Sequence, residues 1–211
     1  MKKILYIGGV GSDSYLAALI ADALANYYGA NVIGMSFSEA YKNKAKVARL
    51  APECLVITHS AGMMLLKNTT PKELIAIAPP MPVFASLLLL RSFPKTLALI
   101  ASGSESHGRP RKILMYHLHS FFERVSRPLQ NSLLTREISA FNAAQTAVEM
   151  TQGGTKVTLG FMENELLFPE SVHHPHIAIA REHGVNICDN LLGHHDEFVF
   201  YPAEVLAQLS R

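Results

Sequence analysis

The serine at position 60 lies in a sequence context that suits a nucleophile. The apolar, β-rich run Leu55–Thr58 precedes it, and the short helical stretch Ser60–Lys67 follows it. Ala61 and Gly62 come directly after the serine, so the chain can turn sharply between strand and helix and lift the hydroxyl clear of the sheet. The alternative is that Ser60 only caps the N-terminus of that helix, a role in which serine is common.

Two loops further along the chain carry side chains that could activate a serine. Glu163 and Glu165 follow one apolar run, and a Gly-His-His loop at residues 193–195 follows the next. A histidine can remove the hydroxyl proton, and a carboxylate can orient the imidazole and stabilise its charged form. The alternative for either glutamate is an ordinary solvated loop carboxylate.

Six short apolar runs alternate with helical stretches and supply the frame for these loops. The runs are Ile4–Ile7, Asn31–Ser36, Leu55–Thr58, Leu74–Ala78, Val157–Phe161 and Val185–Cys188. Such alternation predicts βα units and a mostly parallel sheet with helices on both faces. Since functional sites of these sheets lie beyond the carboxyl ends of the strands, the loops after the first, third, fifth and sixth runs should share one edge.

Helical periodicity is clearest after the first run. Apolar residues recur at helical spacing from Leu16 to Tyr27, and Gly29 supplies a C-terminal stop. A polar helix is predicted to open at Ser38 and to end before Pro52. The last helix, from residue 202 to 209, begins with a proline in the first helical position, where proline is favoured.

The order of these signals resembles that of the α/β-hydrolase superfamily. The segment around Ser60 is similar to its Gly-x-Ser-x-Gly nucleophile elbow, with Thr58 in place of the first glycine. The resemblance implies a Ser-acid-His triad in that chain order, with Ser60 as nucleophile and His194, rather than His195, as general base. Glu163 or Glu165 is implied as the acid. The resemblance covers residues 1 to about 80 and about 155 to 211.

A glycine-rich turn after the first run resembles the His-Gly-x-Gly loop of the same superfamily, with Gly8 in place of the histidine. The resemblance implies that the N–H groups of Val10 and Ala61 form an oxyanion hole and that Gly9 lets the main chain approach the substrate. A nucleotide-binding protein also begins with strand, glycines and helix. The Gly-x-Gly-x-x-Gly pattern fails here, however, because Asp13 and its neighbour stand where the third glycine is needed.

The alternation of strands and helices is interrupted between about residues 80 and 153. This segment is interpreted as a helical cap insertion in a single domain spanning 1–211, and Leu133–Met150 within it has a helical pattern. Its opening part is more apolar than one helix face can bury, and the prediction is that Leu88 and Leu89 line a pocket for an acyl chain. The alternative is that these leucines pack inside the cap.

Composition excludes several classes of protein. The formal charge is +2 with scattered basic residues, which does not favour nucleic acid as a partner. No apolar run reaches the roughly 20 residues of a transmembrane span, and no export signal is recognised. The two cysteines indicate no disulfide framework, which fits a cytoplasmic location. The histidines lack metal-ligand spacing, so neither a metal nor a cofactor is predicted.

The sequence therefore predicts a serine hydrolase that cleaves a small-molecule carboxylic ester or thioester, with an apolar acyl part, through an acyl-enzyme. Three alternatives remain open. An acyltransferase would use the same triad with another acceptor, and a nonenzymatic binding member of the fold would explain the departures at Thr58 and in the acid loop. A flavodoxin-like or nucleotide-binding protein is the third alternative.

Overall fold

A six-stranded, all-parallel sheet forms the centre of the computed structural model, which describes residues 2–82, 128–163, 170–193, 195 and 197–209. The strand order is β2-β1-β3-β4-β5-β6. The strands are β1 (Lys3–Ile7), β2 (Asn31–Met35), β3 (Leu55–His59), β4 (Glu73–Ile77), β5 (Lys156–Met162) and β6 (Asn186–Leu191). The predicted parallel sheet is confirmed, with strand ends that differ from the prediction by at most three residues.

The sheet is buried on both faces because its side chains alternate between two apolar cores. On β1, Leu5 and Ile7 enter one core while Ile4 and Tyr6 enter the other, and all four are fully buried. A strand covered on both sides needs apolar residues at every position, which is why these strands show continuous apolar runs in the sequence.

The first helix, α1 (Ser14–Tyr28), packs into the core that contains Tyr6. Asp13 caps its N-terminus by accepting a hydrogen bond from the N–H of Leu16 at 2.7 Å. Gly29 ends it in the left-handed conformation, with φ 58°, as the sequence predicts. The helix thus begins and ends at local sequence signals.

The polar helix after β2 differs from its prediction in two ways. Ser36, rather than Ser38, is the N-cap, and its Oγ accepts a hydrogen bond from the N–H of Glu39. The stretch is divided at Asn43 into α2 (Phe37–Lys42) and α3 (Lys44–Leu50). Asn43 breaks the helix because its φ of −116° and ψ of 41° are not helical.

The predicted helix from residue 133 to 150 is also two helices. They are α4 (Pro128–Ala140) and α5 (Ala143–Gln152), and Asn142 between them caps α5 through its side chain. The remaining helices are α6 (Glu170–Glu182), α7 (Glu197–Phe200) and α8 (Pro202–Gln208), the last with its proline in the first turn. Most of the predicted cap insertion lies outside the described residues.

The helices cover both faces of the sheet. Buried residues of α1, α7 and α8 belong to the core around Tyr6, while those of α2, α3, α5 and α6 belong to the core around Leu5. None of the helices in the described ranges combines the length and apolar character that crossing a lipid bilayer requires.

Candidate active site

The strand order places Ser60 where two loops diverge at the carboxyl edge of the sheet. β1 has β2 on one side and β3 on the other, so the chain reverses its direction of winding between β1 and β3. Open parallel sheets bind ligands at such a switch point. The loop after β1 contains Gly8 and Gly9, and the residue after β3 is Ser60.

Ser60 has the backbone conformation of a strained turn. Its φ is 51°, in the left-handed region that costs a residue with a side chain about 1–2 kcal/mol. A 3-10 helix, Ser60–Leu66, starts at this residue; its N-cap is His59, with no side-chain capping bond. The interpretation of Ser60 as a simple helix N-cap is therefore not what the structure shows.

Close backbone approach explains the glycines around this turn. A Cβ on Gly62 would lie 2.6 Å from the carbonyl oxygen of Ile7, and a Cβ on Gly9 would lie 2.8 Å from the Cβ of Ser60. Real Cβ atoms do not approach other atoms so closely, so only glycine fits at either position. The loop after β1 and the turn at Ser60 are consequently in direct contact.

Thr58 stands where the superfamily pattern has glycine, and the sheet accommodates it. It is fully buried on β3, paired in register with Ile7 of β1 and Ala76 of β4. The small side chain of Ala76 leaves space beside it. Its hydroxyl is buried and has no hydrogen-bond partner in the described part of the chain, an arrangement that carries a desolvation cost.

His195 is the histidine that the structure brings to the serine. Its Nε2 lies 2.9 Å from the Oγ of Ser60, and its side chain is buried, with the residue 8% exposed. Because the two residues are 135 positions apart, only the fold creates this pair. His194, which the resemblance favoured as the base, lies outside the described residues.

His59 and Phe198 surround the ring of His195. The Nε2 of His59 donates a hydrogen bond to the backbone carbonyl oxygen of His195 at 2.8 Å, since a carbonyl oxygen can only accept. The His59 ring is 5.3 Å from that of His195 and stacks on Phe198 at 5.9 Å. No local signal in the sequence indicates this long-range bond.

The two acid candidates follow β5, the strand next to β6. The backbone N–H of Glu163 donates to the carbonyl oxygen of Leu191 at 2.8 Å, which fixes this loop to the end of β6, and its side chain is exposed. Glu165 lies outside the described residues. The described part of the loop after β4, residues 78–82, contains no carboxylate. Glu163 and Glu165 stay the predicted acids.

The proposed oxyanion loop is a tight turn held to its surroundings by Ser12. The Ser12 N–H donates to the carbonyl oxygen of Gly9 at 3.1 Å, and Gly11 takes a φ of 93° that favours glycine. The Ser12 Oγ also donates to Gly9 and accepts from the N–H of Phe37. Val10, in the turn, is half-buried.

The other half of the predicted oxyanion hole lies at the start of the 3-10 helix. Ala61 follows Ser60 and is buried, and the contact between Gly9 and Ser60 brings this helix start close to the loop. A histidine at position 8 would require Ser12 to move, since a Cβ on Gly8 would collide with the Ser12 side chain. Leu88 and Leu89 lie outside the described residues.

Burial is the main cause of the pKa shifts of one tyrosine and of both cysteines. Tyr6, below the loop after β1, is fully buried, and burial raises the pKa of its phenol well above its usual range. Burial also raises the pKa of the Cys54 and Cys188 thiols, which therefore stay protonated near neutral pH. Within the described ranges, no group of three histidine, cysteine or carboxylate side chains could hold a metal ion.

Solved structures identify the fold. The chain is similar to a thioesterase domain from the curacin biosynthetic pathway, with 17% identity and a TM-score of 0.57 over 100% of this chain and 91% of that one. It is similar to an esterase of Pyrococcus furiosus, with 14% identity and a TM-score of 0.56 over 99% and 82% of the two chains. It is also similar to polyneuridine aldehyde esterase, with 12% identity and a TM-score of 0.53 over 100% and 98%.

These similarities, together with the parallel sheet, define a protein with the α/β-hydrolase fold, as the sequence resemblance indicated. No protein-family model matches the sequence. No curated protein matches it by sequence either. At identities this low the shared property is the fold, and function must be argued from the site itself.

Proposed function

We propose that this protein is a serine hydrolase that cleaves a carboxylic ester or thioester. The observation that carries the proposal is the pairing of a strained serine with a buried histidine: Ser60 has φ 51°, and its Oγ lies 2.9 Å from the Nε2 of His195. A nucleophile and base within hydrogen-bond distance are the signature of nucleophilic catalysis. The esterases and the thioesterase domain that share the fold support this reaction class.

In the proposed mechanism His195, in place of His194, is the general base. Its Nε2 accepts the Ser60 proton as the Oγ attacks the acyl carbonyl, and the imidazolium then gives that proton to the leaving group. For Nε2 to accept, the ring proton of neutral His195 must lie on Nδ1. Glu163 or Glu165 is proposed to accept a hydrogen bond from this Nδ1–H.

The N–H groups of Val10 and Ala61 are proposed to bind the oxyanion of the tetrahedral intermediate. Such donors act strongly because they are oriented before the reaction begins. The turn from Gly9 to Ser12 and the contact between Gly9 and Ser60 support the placement of both donors beside the nucleophile. Water then hydrolyses the acyl-enzyme, and no cofactor takes part.

The test compares two adjacent histidines. A fluorophosphonate probe should label wild type at Ser60 and fail to label Ser60→Ala, as measured by mass spectrometry of the intact protein and its peptides. His195→Ala should slow labelling by about 10²–10⁴-fold, the usual contribution of a general base. His194→Ala, changed in the same loop, should label at nearly the wild-type rate. The reverse ranking would return the base to His194, and an unlabelled wild type would refute the proposed function.

The substrate is proposed to carry an apolar acyl chain, bound by Leu88 and Leu89 in the cap insertion. Turnover of p-nitrophenyl esters should rise with acyl length from acetate to about octanoate, because each buried methylene contributes at most about 0.8 kcal/mol. Replacing Leu88 or Leu89 with Ala should flatten this rise and leave acetate turnover little changed. A strict preference for acetate would show that the leucines fill the cap and form no pocket.

A further inference from the structure

His59 lies at the junction of the three loops that form the candidate site. It directly precedes Ser60 in the chain, and its Nε2 donates to the carbonyl oxygen of His195. On the other side, its Nδ1 would lie only 3.3 Å from a Cβ on Gly9, so the ring borders the proposed oxyanion loop. The residue is 2% exposed, and Phe198 stacks on the ring.

Three contacts link the nucleophile, the base and His59 in a ring. The Oγ of Ser60 meets the ring of His195, the backbone oxygen of His195 meets the ring of His59, and a peptide bond joins His59 to Ser60. The strand end that carries the nucleophile therefore also contacts the loop that carries the base.

We propose that His59 is a positioning residue that holds the His195 loop in register with Ser60; this inference rests on the proposed hydrolase function. Its proton lies on Nε2, and it acts through the backbone of His195 and not on the substrate. The bond to the His195 carbonyl is buried, and leaving a buried acceptor without its donor costs free energy, so loss of the His59 donor should favour a shift of the loop. A shift of about 1 Å at a catalytic group can lower the rate about 10²-fold.

The matched variants differ in where they place a donor. The Nε2 of Gln follows the same number of bonds from Cα as the Nε2 of His, so His59→Gln keeps a donor that can reach the carbonyl. The amide nitrogen of Asn stands one atom nearer to Cα, so His59→Asn keeps the polarity without the reach. His59→Phe keeps the aromatic packing against Phe198 and removes the donor.

The kinetic expectation is a split between kcat and KM. His59→Gln should retain kcat within about tenfold, whereas His59→Asn and His59→Phe should lose about 10²-fold in kcat with KM changed less than about threefold. Fluorophosphonate labelling should slow in the same order. Equal kcat for Gln and Asn, or losses confined to KM, would overturn the positioning role.

A second measurement uses only the wild-type protein, so it depends neither on a substrate nor on whether a variant folds. Long-range ¹H–¹⁵N spectra of wild type should show the Nε2–H tautomer for His59, with a slowly exchanging ring proton. The Nδ1–H tautomer would overturn the proposal. If the tautomer is as expected but the probe never labels Ser60, the hydrolase function is refuted while the bond between His59 and the loop stands. If labelling occurs and the three variants match wild type, only the positioning role is refuted.

Discussion

Ser60 holds a left-handed backbone conformation, and this strain can be measured separately from activity. With φ at 51°, glycine should suit the position better than alanine. We expect the Ser60→Gly variant to be more stable than the Ser60→Ala variant, with a free energy of unfolding about 1 kcal/mol larger by urea denaturation. Both variants lack the nucleophile, so the comparison isolates the backbone.

The control for that comparison is Ser38, an exposed residue inside α2. There alanine should be the more stable replacement by about 1 kcal/mol, because glycine is a poor helix former. The sign of the difference should thus reverse between the two serines. The same sign at both positions would mean that the turn at Ser60 is not strained.

Single substitutions can decide which glutamate is the acid of the proposed triad. Glu163→Gln and Glu165→Gln keep side-chain size and remove the charge. One of them should lower kcat by several orders of magnitude because the imidazolium loses its partner, and the other should have little effect. Two near-neutral results would exclude both glutamates.

At the scale of elements, α1 fixes the end of the glycine loop. Asp13 caps the helix through the N–H of Leu16, directly after the turn that Ser12 closes. Asp13→Ala should lower the free energy of unfolding by about 1 kcal/mol, the usual value of an N-cap. Urea denaturation measures the change.

Asp22 supplies the matched control, since it is an exposed aspartate within the same helix. Asp22→Ala should change stability little, or raise it slightly, because alanine is the better helix former. An equal loss from both substitutions would show that charge, and not the cap, stabilises α1.

At the scale of the whole molecule, the fully buried Tyr6 and the half-buried Tyr28 make the stability depend on pH in the alkaline range. Burial raises the pKa of the Tyr6 phenol and raises that of Tyr28 to about 12. The folded state therefore favours the protonated phenols, whose contribution is complete below pH 10 and is lost as the pH rises toward the folded pKa values. Alkaline unfolding should begin above about pH 10.

Tyr6→Phe tests this expectation, because the Tyr6 hydroxyl is buried without a hydrogen-bond partner among the described residues. At pH 7 the free energy of unfolding of the variant should equal that of wild type or exceed it by up to about 1 kcal/mol. The midpoint of its alkaline unfolding should lie at higher pH than that of wild type. Circular dichroism across a pH series measures the midpoint.

Tyr15, which is 73% exposed, provides the control for this series. Tyr15→Phe should leave the midpoint unchanged, since its hydroxyl contacts water in both states. A loss of more than about 1 kcal/mol in Tyr6→Phe at pH 7 would show that the buried hydroxyl has a partner in solution.

The sequence by itself determined the elements whose signals are local. Continuous apolar runs indicated strands buried on both faces, and Gly29 marked the end of α1 where the structure has it. The position of Ser60 between strand and helix followed from the same kind of signal. These features depend on residues within one turn or one strand, so periodicity and capping chemistry are enough to predict them.

Tertiary structure decided what depends on residues far apart in the chain. His194 and His195 have the same chemistry and follow β6 by three and four residues, and only the folded loop brings His195 to Ser60 across 135 positions. Likewise, nothing near His59 in the sequence predicts its bond to the His195 carbonyl. Local patterns place strands and loops, but which side chain of a loop faces inward depends on the packing of segments that meet only when the sheet is complete.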